Sequence, residues 1–167
     1  MKYSKNVKIF TFSSVLLAMS IILSYVENLI PFNAMGVGVR IGLSNICVVI
    51  GIESIGKVRT FVITMLRILI LSLLFGSIVK FYISLSGFIF SFIFMCLYSI
   101  AKNYDIIILS IIGGAFHIIG QFIALVVLFS NMNILYLLPP YTLMGIFTGA
   151  IVGFISKLIL NKIKVYL

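Results

Sequence analysis

Acidic residues are almost missing from this chain: Glu27, Glu53 and Asp105 are the only three among 167. Charged residues of either sign make up 9%, against roughly 25% in an ordinary soluble domain. That shortage excludes a water-facing globular surface. No two carboxylates are close in sequence and no DDxxD-like element is present, which argues against diphosphate chemistry on carboxylate-held Mg²⁺. There is no G-x-x-x-x-G-K-[ST] sequence, so ATP hydrolysis by a P-loop is excluded as well. Cysteine is scarce: Cys47 and Cys96 lie inside apolar runs, without C-x-x-C or Cys/His spacing, and read as packing residues. A cleavable leader is not expected. Lys2, Lys5 and Lys8 precede an apolar run of about 20 residues, too long for a signal-peptide core, with no A-x-A-like site after it.

What the chain has instead is apolar length. Hydrophobic residues are 63% of it and its mean hydropathy is +1.33. The composition predicts a single all-α integral membrane domain over residues 1–167. Six transmembrane helices are expected, at about 9–30, 41–56, 58–75, 81–101, 106–129 and 139–160. The second is short for a span and could be tilted, broken or partly re-entrant. Pro31–Arg40 and Ser130–Leu138 read as loops. The net charge of +9 forms no basic stripe on a polar surface, so nucleic acid is not indicated. It is distributed as topogenic charge. With the N-terminus in the cytoplasm, Lys2, Lys5, Lys8, Lys57, Arg59, Lys102, Lys157, Lys162 and Lys164 fall inside, and only Arg40 and Lys80 outside. Both termini are therefore expected on the cytoplasmic face of the cell membrane.

The polar residues within these apolar runs are few. Ile112–Ala124, IGGAFHIIGQFIA, holds the only histidine. Helical spacing puts Ser110, Gly113, Gly114, His117 and Gln121 on one face. Lipid cannot satisfy an imidazole or a carboxamide, so this stripe should face protein or a wet cavity. On the expected topology Glu27, Asn45, Ser84, Ser86, Gln121 and Tyr141 gather in the outer half, with His117 and Arg67 near mid-depth. Together with Arg40 they are the candidate ligand-binding residues of an outward-facing pocket with an apolar floor. Each has a plainer role open to it: a backbone hydrogen bond for His117, a headgroup position for Glu27, snorkelling or an ion pair for Arg67, interhelical glue for Asn45. Arg40 and Arg67, joined by Lys80 and His117, against the single carboxylate of Glu27 favour an anionic or partly anionic ligand. Gly145, Gly149 and Gly153 form a close-packing row, and Ser14 and Ala18 a small-xxx-small patch. No cofactor and no metal are expected.

Five ordered segments carry a family resemblance. They are LSYVENLIP at Leu23–Pro31, VRIGLSN at Val39–Asn45, Arg67 followed by FGS at Phe75–Ser77, SLSG at Ser84–Gly87 and GGAFHIIGQ at Gly113–Gln121. In this order and spacing, over about residues 10 to 155, the chain resembles the family called heptaprenyl diphosphate synthase component I, or Gx transporter. One departure is Ile118, where the family favours asparagine after the histidine; it takes a polar group out of the pocket. That family in turn resembles the substrate-binding S components of energy-coupling factor (ECF) transporters. The resemblance implies a six-helix fold with an outward-facing pocket. It also implies docking through Ser14 and Ala18 onto a coupling subunit that carries two ATPases.

The reading that best fits is a non-enzymatic, substrate-binding membrane subunit of a small-molecule uptake transporter. The alternative is a non-catalytic membrane partner in polyprenyl diphosphate or quinone biosynthesis. A purely structural membrane protein would not need His117, Gln121, Arg67 and Glu27 inside the bilayer. The ligand itself is not legible in the sequence.

Overall fold

The structure, a computed structural model, describes residues 2–29, 42–75 and 78–163. Among the described residues six α-helices run in order: α1 Lys2–Leu29, α2 Asn45–Ser54, α3 Lys57–Phe75, α4 Ile78–Tyr98, α5 Ile106–Phe129 and α6 Leu138–Ile163. A 3₁₀ turn at Met132–Leu137 leads directly into α6. It occupies most of the stretch expected to be a plain loop. Pro139 and Pro140 fall in the first turn of α6, where backbone N–H groups have no intrahelical partner to lose.

Four stretches among the described residues are long and apolar enough to cross a membrane: Asn6–Glu27, Ile78–Tyr98, Ile106–Phe129 and Met132–Ile163. The second expected span, 41–56, already read as short for a span, holds a still shorter helix. Its helix has 10 residues, roughly 15 Å against a hydrocarbon core of about 30 Å. It ends at Gly56, whose φ of +89° suits glycine, with the N–H groups of Ile55 and Gly56 both closing on the Gly51 carbonyl. Cys47 through Ile52 are all buried, so α2 is apolar on every side and lies inside the bundle. α3 returns at once from this turn. A Cβ on Gly51 would stand 2.7 Å from Thr60 Oγ1, so the two helices meet where Gly51 has no side chain.

α5 is the central helix. Its Gly114 lies against the Gly145 backbone of α6, and a Cβ on Gly149 would come within 2.8 Å of the Ser110 carbonyl. On another flank, a Cβ on Gly120 would sit 2.6 Å from the Ser86 carbonyl of α4. The glycine row therefore does close-packing work, as its spacing predicts. One apolar cluster joins Ile9 and Phe12 of α1, Ile55, Ile63, Ile106 and Leu160. The start of α1, the α2–α3 turn, the start of α5 and the end of α6 thus share one end of the bundle.

Candidate functional site

His117 and Gln121 lie one turn apart on α5, and their Nε2 atoms are 2.9 Å apart. Gln121 is fully buried and His117 half-buried. With the Gln121 amide donating, His117 Nε2 must present its lone pair, which puts the ring proton on Nδ1. Both side chains rest on Gly87 of α4: a Cβ there would meet Gln121 Cγ at 2.8 Å and His117 Cε1 at 3.1 Å. The pair occupies space that only a glycine leaves. Next to it, Ser86 Oγ donates to the Gly120 carbonyl at 2.7 Å and ties α4 to α5. Ser84 is buried one turn away.

Asn45, the first residue of α2, reaches α5 at Gly113, where an added Cβ would stand 2.9 Å from its Nδ2. Asn45, His117 and Gln121 therefore lie on neighbouring turns of one seam along α5. The expected single stripe splits in the structure. Gly113, His117 and Gln121 face α2 and α4, whereas Ser110 and Gly114 face α6. The split follows from the close approach of helices on both flanks of α5, which divides a face that a helical wheel draws as continuous.

Glu27 is 7% exposed, and its Oε1 accepts from the Gly42 backbone N–H, which ties the far end of α1 to the residues entering α2. Arg67, also 7% exposed, lies ten residues into α3, roughly 15 Å from its start. A buried arginine is costly to desolvate, so it calls for a reason. Tyr141 packs its ring on Phe122, with centroids 5.5 Å apart, and belongs to an apolar cluster. Arg40 lies outside the described residues. Ser14 and Ala18 are exposed on α1, and the Ser14 hydroxyl is turned back onto the Phe10 carbonyl at 3.1 Å.

The sequence reading passed over a second set of buried polar residues. Ser20 and Ser24 precede Glu27 on α1, and Thr60 and Thr64 precede Arg67 on α3. The shared i, i+4, i+7 spacing was the available signal. Three of these hydroxyls bond within their own helix: Ser20 to the Leu17 carbonyl at 2.7 Å, Thr60 to Gly56 at 2.9 Å and Thr64 to Thr60 at 2.8 Å. These bonds satisfy the hydroxyls they involve without a partner from another helix.

At the end that holds the start of α5, Asp105 caps that helix, accepting from the Ile107 N–H at 2.7 Å, and pairs with Lys157 of α6 at 3.0 Å. Lys157 first, and then the cap bond, hold the Asp105 carboxyl below its ordinary range. Tyr104 donates to Glu53. Burial first, and then the bond to Glu53 and its negative charge, push the Tyr104 phenol up to about 12. Lys57 Nζ donates to the Cys96 carbonyl at 3.3 Å. These contacts fasten α2, α3, α4 and α6 around the α4–α5 turn. Among the described residues no group of three or more His, Cys, Asp or Glu side chains is placed to hold a metal ion.

Fold and site together define an all-α membrane protein with a small polar seam buried along its central helix. Residues 16–159 match the family described as heptaprenyl diphosphate synthase component I, and the chain belongs to that family. Searches of curated proteins and of solved structures returned no match.

Proposed function

We propose that the chain is a substrate-binding membrane subunit of a small-molecule uptake transporter, of the ECF S-component type, and is not itself an enzyme. The observation that carries this reading is the His117–Gln121 pair, held on Gly87 with Asn45 on the adjacent turn. A bundle held together by glycine contacts has no structural need for a half-buried imidazole beside a buried carboxamide. The bond between them lies within one turn of α5, so it fastens no second helix to the bundle. Arg67 adds a buried positive charge on α3, which suits an anionic or partly anionic ligand.

In this reading both termini face the cytoplasm, following the distribution of lysine and arginine. The seam is then reached from outside, and Glu27, Ser84, Ser86 and Tyr141 complete the ligand's surroundings. Energy comes from a coupling subunit with two ATPases, docked on the exposed face of Ser14 and Ala18. Ligand uptake in cells and ligand binding to the purified protein test the assignment. His117→Ala, Gln121→Ala and Arg67→Ala are each expected to weaken binding about ten-fold or more, the size of a lost buried or charge-assisted hydrogen bond. Unchanged binding and uptake in all three would remove the seam from function.

The family description favours a second reading, a non-catalytic membrane partner in polyprenyl diphosphate synthesis. The three carboxylates are dispersed: Glu27 engages Gly42, Glu53 engages Tyr104 and Asp105 engages Lys157. That dispersal favours a binding role over a catalytic one here too. Co-purification of a soluble prenyl synthase, with no transporter subunits, would select this alternative.

A further inference from the structure

Between the first half of α1 and the start of α3 runs a groove of about 470 Å³. Ile9, Phe10, Val58, Val62 and Ile63 give it apolar walls, and Asn6 and Arg59 make it polar at one end. Phe10, Val58 and Val62 are exposed, so the groove opens sideways to whatever surrounds the bundle. It lies at the end where α1 begins and α6 finishes, away from the seam at His117.

The charge at that end is one-sided. Lys8, Lys57, Arg59, Lys102, Lys157 and Lys162 stand there, against Glu53 and Asp105 among the described residues. Both of those carboxylates are engaged, Glu53 by Tyr104 and Asp105 by Lys157. Arg59 uses NH1 on the Ile55 carbonyl at 3.3 Å, within its own turn. A guanidinium has five N–H donors in a planar fork, so most of its capacity remains for an anion.

We propose that this groove holds an anionic phospholipid, with an acyl chain along Ile9, Phe10, Val62 and Ile63 and the phosphate on Arg59. The chemistry of each part matches: hydrocarbon against apolar side chains, and phosphate against a guanidinium at the membrane–water boundary. Basic pockets between membrane helices bind acidic headgroups for this reason. A zwitterionic lipid offers the same chains but a headgroup whose own cation offsets the phosphate, so it is held less well.

The test is native mass spectrometry of the full chain in detergent, titrated with phosphatidylglycerol or phosphatidylcholine of identical acyl chains. The wild type is expected to retain phosphatidylglycerol roughly five-fold better, the scale of one basic residue near an anionic headgroup. Arg59→Gln should bring the two lipids to parity with helix content unchanged by circular dichroism. Lys102→Gln, which removes a charge at the same end but outside the groove, should keep the preference. Val62→Trp, which fills the groove, should lower retention of both lipids. No preference in the wild type, a preference that survives Arg59→Gln, or a co-purifying polypeptide in place of lipid at the groove would overturn the proposal.

Discussion

At the scale of single residues, the ionisable groups outside the helices make the clearest predictions. The Asp105 carboxyl is held low by Lys157 and by its cap bond. A depressed value means that its contribution is present above the ordinary carboxylate range and is lost as pH falls through the folded value. Asp105→Asn keeps a capping side chain but removes the charge. It should be less stable than wild type at pH 7, by less than about 1 kcal/mol because the pair is partly exposed, read as a slightly lower melting temperature. That gap should close as the pH is lowered toward 3. Tyr104 behaves in the opposite sense. Its phenol is pushed up to about 12, so the stabilisation is intact below pH 10 and fades as pH rises to the folded value. Tyr104→Phe should therefore be less stable than wild type at neutral pH and approach it in strong alkali.

At the scale of helices, the close approaches are where the structure is least forgiving. Gly114 meets the Gly145 backbone directly, and backbone cannot move aside as a flexible side chain can. Gly114→Ala should destabilise the bundle by about 1–3 kcal/mol, read as an earlier thermal unfolding transition. This row was legible in the sequence because Gly145, Gly149 and Gly153 repeat every four residues. α5 was legible too, since Ile106–Phe129 is one unbroken apolar run closed by Asp105 and Ser130. α2 was not. An apolar run starting at Ile41 reads as a span, whereas the helix starts at Asn45, after Gly42 with its φ of +92°. The Asn45–Gly113 and Gly87–His117 contacts were also beyond sequence reasoning, because helical periodicity places a residue on a face without saying which neighbour fills it. The residue types of the seam could be read from the sequence, but the splitting of its stripe between α4 and α6 could not.

At the scale of the whole molecule, the exposed faces are as informative as the buried seam. α1 is the most exposed of the candidate spans, with 17% of its window buried, and it turns Ser14 and Ala18 outward. Small side chains on an exposed face let another helix approach closely. Ser14→Leu with Ala18→Leu should therefore abolish co-purification of a coupling subunit and leave ligand binding intact. If the partner stays bound to this double variant, docking lies elsewhere.

The central claim is that the seam at His117 and Gln121 binds a small molecule. Its most direct test is native mass spectrometry of the wild type and of a His117→Ala, Gln121→Ala double variant, each gently extracted from its own membranes. The account predicts a discrete small-molecule mass on the wild type, with coupling and ATPase subunits alongside. The double variant should keep the subunits and lose the small molecule. A wild-type protein that carries no ligand, or a ligand equally present on both proteins, would contradict it.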